Sequence, residues 1–130
     1  MDTSVWSLAL RRDRPADVPE VGALERALAG GDLVVTTGLV YQELLQGFHG
    51  PRHQQAVVAR FAPLPFLILD RHDHFEAAQL RNRARRRGVQ IGTIDAILAQ
   101  LCIRYELPLL TTDADFARIA EDEPLERWTP

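Results

Sequence analysis

The sequence contains no lysine and a single cysteine, Cys102. One thiol excludes an internal disulfide, and its place in an apolar helical pattern predicts a small buried residue, so the chain suits a reducing cytoplasm. There is no run of about 18 apolar residues, which predicts no transmembrane helix and no membrane partner. The first residues lack the basic and apolar segments of a signal peptide. The net charge of -3 gives no support to general nucleic-acid binding.

The length of 130 residues predicts one domain over residues 1–130, and a hydrophobic fraction of 46% suits a globular protein. The order of its predicted elements indicates the α/β class. Short β-branched or aliphatic runs predict buried strands at 33–37, 66–69 and 109–112, with an edge strand at 125–128. Helical patterns alternate with these runs, so we expect a mainly parallel central sheet flanked by helices. The helices are predicted near 4–10, 20–29, 38–46, 51–61, 71–87 and 94–105, with a last short helix after the segment 113–116.

Carboxylates recur where strands end or helices begin. Asp95 lies in the first turn of an apolar helix for which Thr93 is the predicted N-cap, and an acid there is costly unless a positive group meets it. Asp113 and Asp115 directly follow the strand at 109–112. Glu43 lies on the inward side of the helix after the first clear strand. The carboxyl ends of parallel strands converge on one crevice, so these acids can meet there, and Asp2 can join them if a strand precedes it.

Several carboxylates in one crevice repel one another, and a divalent cation removes that repulsion. Oxygen ligands without paired histidine or cysteine favour Mg²⁺ or Mn²⁺, which polarise phosphoryl oxygens and activate water for phosphodiester hydrolysis. Each acid also has a structural interpretation. Asp95 suits the helix dipole, Glu43 can reach solvent from the surface, and the others can cap helices: Asp2, Asp113 and Asp115.

Four segments resemble the acidic motifs of PIN-domain ribonucleases, and more narrowly those of VapC-type toxins of type II toxin–antitoxin pairs. They are Asp2-Thr3-Ser4-Val5-Trp6, Glu43-Leu44-Leu45-Gln46-Gly47, Ile91-Gly92-Thr93-Ile94-Asp95-Ala96-Ile97-Leu98-Ala99 and Thr111-Thr112-Asp113-Ala114-Asp115-Phe116. The resemblance runs in order over almost the whole chain. It implies a Mg²⁺- or Mn²⁺-dependent endoribonuclease that cleaves structured RNA, with a small cognate antitoxin as its partner and a homodimeric assembly.

The same resemblance assigns the site residues. The implied catalytic acids are Asp2, Glu43, Asp95 and Asp113, and the implied metal ligands are Asp2, Asp95, Asp113 and Asp115. Members of the family have an apolar strand before their first aspartate, whereas only Met1 precedes Asp2 here. We therefore expect the first strand to be missing or truncated and the start of the sequence to be internal or trimmed.

Five arginines lie between Arg81 and Arg87 at the end of one predicted helix. They suit either a solvated helix end, where cations are favoured, or a phosphate-binding rim. The candidates for RNA contact are Arg81, Arg85, Arg86 and Arg87. By contrast, His72-Asp73-His74 is better explained as a helix start capped by Asp70 than as a metal site.

Two alternative functions stay open. The segment 109–115 also resembles the strand and Asp-x-Asp start of haloacid-dehalogenase-type phosphatases. However, those enzymes place this motif early and use a lysine, whereas only 15 residues follow Asp115 and the chain has no lysine. A non-catalytic PIN-like partner-binding module is the other alternative, and it would bind metal without cleaving RNA.

Overall fold

The computed structural model describes residues 3–10 and 18–130, which fall into two compact units. The first unit comprises Met1–Ile68 with Pro130, and the second comprises Leu69–Thr129. Asp2 lies outside the described residues. Among the residues that are described, no helix is long and apolar enough to cross a membrane.

The first unit contains four of the predicted helices, and their ends follow from local sequence. They are α1 (Thr3–Ala9), α2 (Pro19–Ala29), α3 (Gly38–Gly47) and α4 (Pro51–Phe61). Proline opens α2 and α4, where its missing N–H costs nothing. The side chain of Thr37 caps α3 by accepting a hydrogen bond of 3.2 Å from the backbone N–H of Val40.

An aromatic cluster forms part of the core of the first unit. Trp6 of α1 and Phe61 of α4 are fully buried, with their ring centroids 4.6 Å apart. Tyr41 of α3 lies 5.4 Å from Phe61 and 5.6 Å from Phe66. Tilted and edge-on ring pairs of this kind stabilise a fold beyond the area they bury. The cluster therefore joins α1, α3, α4 and the segment that follows α4.

The second unit contains α5 (Arg71–Arg86), α6 (Thr93–Arg104) and α7 (Asp115–Ala120). The predicted start of α5 is confirmed, because the Asp70 side chain accepts from the Asp73 N–H and the Asp73 side chain accepts from the Asp70 N–H. The expected cap of α6 is wrong by one residue. Gly92 is the N-cap and brings no side chain to cap the helix, and Thr93 is the first helical residue.

A buried acid ties α5 to α6. Asp73 is 0% exposed, and its Oδ2 accepts a hydrogen bond of 2.6 Å from Arg104 at the end of α6. Arg104 also lies 3.3 Å from Asp70 and over the ring of Tyr105. The backbone N–H of Asp73, helped by Arg104, lowers the pKa of the Asp70 carboxyl. The start of α5 is thus joined to the end of α6, away from the first turn of α6.

The extended segments pair in parallel, as predicted, but only through isolated bridges among the described residues. Thr36 bridges Phe66 in the first unit, and Leu109 bridges Arg127 in the second. Two of the runs predicted as buried strands expose large side chains, since Leu33 is 77% exposed and Ile68 is 85% exposed. The predicted burial is therefore wrong for Leu33 and for the whole run 66–69, none of whose residues is buried. In the run 33–37, Val34, Thr36 and Thr37 are buried as predicted.

Candidate functional site

The loop after Leu110 holds two of the predicted acids in a defined arrangement. Leu109 and Leu110 are fully buried and anchor the loop. The backbone N–H of Asp113 donates to Thr111 Oγ1 at 3.0 Å, and Oδ1 of Asp113 accepts from the backbone N–H of Asp115 at 2.9 Å. Asp113 therefore supports the start of α7, as its structural interpretation requires. None of the described residues donates to its other oxygen, Oδ2, which stays available to a ligand.

Asp95 occupies the first turn of α6, where the sequence places it. The next six residues along the helix, Ala96–Leu101, are all buried, whereas Asp95 itself is half-buried. A carboxylate at the edge of an apolar surface keeps its charge only at a cost, which falls when a cation or a hydrogen-bond donor is near. The charge of Asp95 is therefore more costly in free energy than that of an acid in a fully solvated first turn.

Glu43 belongs to the first unit and lies on α3. It is half-buried and is flanked by Val40 and Leu44, which are fully buried. Its helix face thus points inward, as the sequence predicts. Asp2, the remaining acid of the predicted set, cannot be placed, because it lies outside the described residues.

The acids of the second unit differ in how their charge is balanced. Asp73 and Glu123 each have an arginine nitrogen at 2.6 Å, from Arg104 and Arg83 respectively. Asp113 and Asp115 are half-buried as well, but no described arginine or histidine forms an ion pair with either of them. Two neighbouring carboxylates without a protein cation repel each other, so a bound cation would be favoured there.

The donor chemistry of the predicted acids fits Mg²⁺ or Mn²⁺, because every member offers only carboxylate oxygen. The described part of the chain contains no group of three or more histidine, cysteine or acidic side chains placed to hold a metal ion. The full predicted set includes Asp2, so the described residues contain only part of it. A histidine site on α5 is disfavoured, since His72 and His74 are both exposed and Asp73 is held by Arg104.

The arginines at the end of α5 fall into two groups that the sequence does not distinguish. Arg83 makes two hydrogen bonds to Glu123, at 2.6 and 3.1 Å, and Arg87 makes an ion pair with Asp122. The Glu123 carboxylate, which accepts both hydrogen bonds from Arg83, raises the pKa of that arginine. Both arginines therefore fasten α5 to the turn after α7.

The other three arginines make no ion pair with any described residue, and they are all exposed: Arg81, Arg85 and Arg86. Arg81 donates from Nε to the carbonyl oxygen of Ile91 at 2.8 Å, and its two terminal nitrogens make no hydrogen bond to a described residue. Of the four arginines predicted to contact RNA, Arg87 is thus already engaged by an acid.

Comparison with known proteins places the chain in a broader context. A family model described as PIN domain matches residues 1–122. The crystal structure of VapBC2 from Rickettsia felis, bound to a DNA fragment from their promoter, contains a chain of similar fold, with a TM-score of 0.73 and 20% sequence identity. The match covers 98% of this chain and 96% of that chain. No curated protein matches the sequence significantly. The predicted α/β fold class is confirmed by these likenesses.

Proposed function

Because this chain belongs to the PIN domain family, whose members are generally nucleases, we propose that it is a metal-dependent endoribonuclease that cleaves structured RNA. The observation that carries the proposal is the pair Asp113 and Asp115. These neighbouring half-buried acids have no arginine or histidine partner among the described residues, whereas Asp73 and Glu123 do. Such a pair is suited to a cation that comes from solution.

The residues proposed to hold Mg²⁺ or Mn²⁺ are Asp2, Asp95, Asp113 and Asp115, and Glu43 is the remaining catalytic acid. When bound, the ion would polarise a phosphoryl oxygen and provide water of lowered pKa. The protein itself holds these carboxylates in position for the ion. The N–H of Asp115 fixes the orientation of Asp113 through Oδ1 and leaves Oδ2 for the ligand. The buried face of α6 holds the backbone of Asp95 in place.

The proposed biological role is that of the toxin in a toxin–antitoxin pair, acting in the cytoplasm as a homodimer. The likeness to a chain in a VapBC2 structure supports a small cognate antitoxin as its partner. A basic side chain of such a partner could neutralise the Asp113 and Asp115 pair and so compete with the metal. Coexpression with the product of the neighbouring gene, followed by size-exclusion chromatography, tests for this complex and for the dimer.

The activity is tested by incubating purified protein with transfer RNA in Mg²⁺, in Mn²⁺ and in EDTA. We expect cleavage only with a divalent ion, and none by Asp95→Asn or Asp113→Asn. Asp32→Asn is the matched control, because Asp32 is exposed on the loop after α2 and is outside the predicted set. Cleavage that survives EDTA, or an active Asp95→Asn protein, would contradict the proposal.

Thermal melting provides a second readout that does not depend on turnover. A metal ion at 100 times its dissociation constant stabilises the folded state by about 2.7 kcal/mol. The melting temperature of the wild type and of Asp32→Asn should therefore rise with Mg²⁺ or Mn²⁺, and that of Asp113→Asn should rise much less. Metal binding without cleavage of any RNA would instead favour a non-catalytic PIN-like binding module.

A further inference from the structure

Two shallow grooves on the surface of the second unit share one side chain, Arg81 of α5. The first groove has a volume of about 180 Å³ and is lined by Arg81, Arg85 and residues 89–91. The second has a volume of about 200 Å³ and lies where α5 meets the first turn of α6. Its polar lining comes from Arg81, Asn82 and Thr93, together with His74. None of the described residues that line either groove is acidic.

That absence of acids contrasts with the protein as a whole, which carries 18 acidic residues and a net charge of -3. It also contrasts with two other arginines of the same run, Arg83 and Arg87, which are neutralised by Glu123 and Asp122. The positive charge of Arg81 and Arg85 is therefore left uncompensated by ion pairs with described residues. These two arginines are one helical turn apart on the same face of α5, so their charges act together.

The guanidinium of Arg81 is held in position before any ligand arrives. Its Nε–H is used by the carbonyl oxygen of Ile91, a buried residue directly before the N-cap of α6. None of the described residues accepts from the four N–H groups on its terminal nitrogens, and a planar fork of this kind matches two oxygens of a phosphate. Because Arg81 is already oriented, binding costs less side-chain entropy than it would for a free arginine.

We propose that this arginine groove, formed by Arg81, Arg85, Asn82 and Thr93, binds the phosphate backbone of the RNA next to the cleaved bond. The inference rests on the proposed ribonuclease activity and names the part of the surface that holds the substrate. Thr93 and Asp95 share the first turn of α6, but Asp95 is not part of the groove lining. The groove therefore takes a flanking phosphate, and Arg81 and Arg85 contribute to affinity rather than to the chemical step.

A nucleic-acid backbone suits this surface better than an acidic peptide does. Arg81 is shared by two adjoining grooves, and the strand of an RNA presents one negative charge at every nucleotide, so successive phosphates can fill both. The uncharged donors Asn82 and Thr93 add hydrogen bonds to phosphate or ribose oxygens. The exposed neighbour Arg86 was also a candidate for RNA contact from the sequence, but it lines neither groove, so the proposal excludes it from the bound surface. Arg86 therefore serves as an internal control for simple loss of charge.

The test measures binding of a fluorescein-labelled 20-nucleotide polyuridine to the full chain in EDTA, by anisotropy, over 50–300 mM NaCl. Polyuridine is used because backbone contacts do not depend on sequence. Arg85→Gln should weaken binding by about fivefold at the lowest salt, and should reduce the slope of log K against log salt by about 0.7, the value for one phosphate on a single strand. Arg86→Gln should change the dissociation constant by less than twofold. Arg85→Lys, which keeps the charge, should recover most of the affinity.

Arg85 is the main target because its side chain makes no hydrogen bond to a described residue, so its variants should melt within about 2 °C of the wild type. Arg81→Gln also loses the bond to Ile91 and is interpreted only if its melting temperature is unchanged. Asn82→Ala provides an independent variant. It should weaken binding without changing the salt slope, because no charge is lost.

Equal effects of Arg85→Gln and Arg86→Gln, or an unchanged salt slope, would overturn the proposal. So would a poly-glutamate peptide that binds the wild type more tightly than polyuridine and depends on Arg85, since it would assign the groove to a protein partner. The result is separate from that of the nuclease test. If Arg85 controls RNA binding but the protein never cleaves RNA, the groove remains a phosphate-binding surface, and only its place beside a cleaved bond falls with the nuclease proposal. If cleavage is confirmed while Arg85 has no effect, the groove proposal fails alone.

Discussion

The contact between Arg83 and Glu123 provides a prediction whose size can be worked from the structure. The two side chains share hydrogen bonds of 2.6 and 3.1 Å, and the Glu123 side chain is only 9% exposed. A hydrogen bond to a charged group contributes about 1.5–3 kcal/mol when it is shielded. The Arg83 side chain is 42% exposed, so solvent screening reduces this value toward that of a surface pair. We expect Arg83→Met to lower the free energy of unfolding by about 1–2 kcal/mol.

For a chain of this length that loss corresponds to a fall in melting temperature of about 3–8 °C. Thermal and urea unfolding of Arg83→Met, Glu123→Gln and the double variant give the coupling free energy, expected at about 1 kcal/mol. Arg85→Met is the matched control and should stay within about 0.5 kcal/mol of the wild type. The same Arg83→Met protein should bind polyuridine within twofold of the wild type. A coupling free energy below about 0.3 kcal/mol would refute the structural role of the Arg83–Glu123 pair. A large loss of RNA affinity in Arg83→Met would refute the division of the arginines into those that pair with acids and those that bind RNA.

Two further predictions concern α5 and the glycines. The pKa of Asp70 is lowered from its ordinary value of 3.8, mainly by the N–H of Asp73. The ionised Asp70 carboxylate therefore stabilises the fold above pH 3.8, and this stabilisation is lost as the pH falls through the lowered pKa. Asp70→Asn keeps a capping oxygen but no longer titrates. The urea midpoints at pH 6 and pH 2.5 should therefore differ less for Asp70→Asn than for the wild type, and an equal difference would contradict the prediction. Gly88 has a φ of 81°, whereas Gly47 ends α3 with open space around it. In urea unfolding, Gly88→Ala should therefore lower the free energy of unfolding by about 1 kcal/mol, and Gly47→Ala should raise it by up to about 0.5 kcal/mol. A Gly88→Ala protein as stable as the wild type would show that the strain is absent.

The resemblance to PIN domains is confirmed, and with it the α/β class, although each motif is short. The assignment of Asp2, Glu43, Asp95 and Asp113 as catalytic acids stays a prediction. The haloacid-dehalogenase alternative is not supported, since the matching family model is that of the PIN domain and covers residues 1–122. The strand predictions were less complete, because burial of a strand depends on which other segments cover it.

The sequence by itself determined what depends on near neighbours. Helix periods, the proline starts of α2 and α4, and the Asp70–Asp73 capping box act within a few residues, so local chemistry was enough to predict them. The presence of Asp95 on an apolar helix was readable for the same reason.

The tertiary structure alone decided how charges separated along the chain meet. Five arginines between Arg81 and Arg87 look alike in sequence, yet contacts some 35–40 residues away occupy Arg83 and Arg87 and leave Arg85 beside a groove without acids. The acids that pair with Arg83 and Arg87 belong to the turn after α7. No residue close to α5 in sequence indicates that this turn lies against the end of α5. An ion pair requires two side chains within about 4 Å, and only folding determines which distant residues come that close.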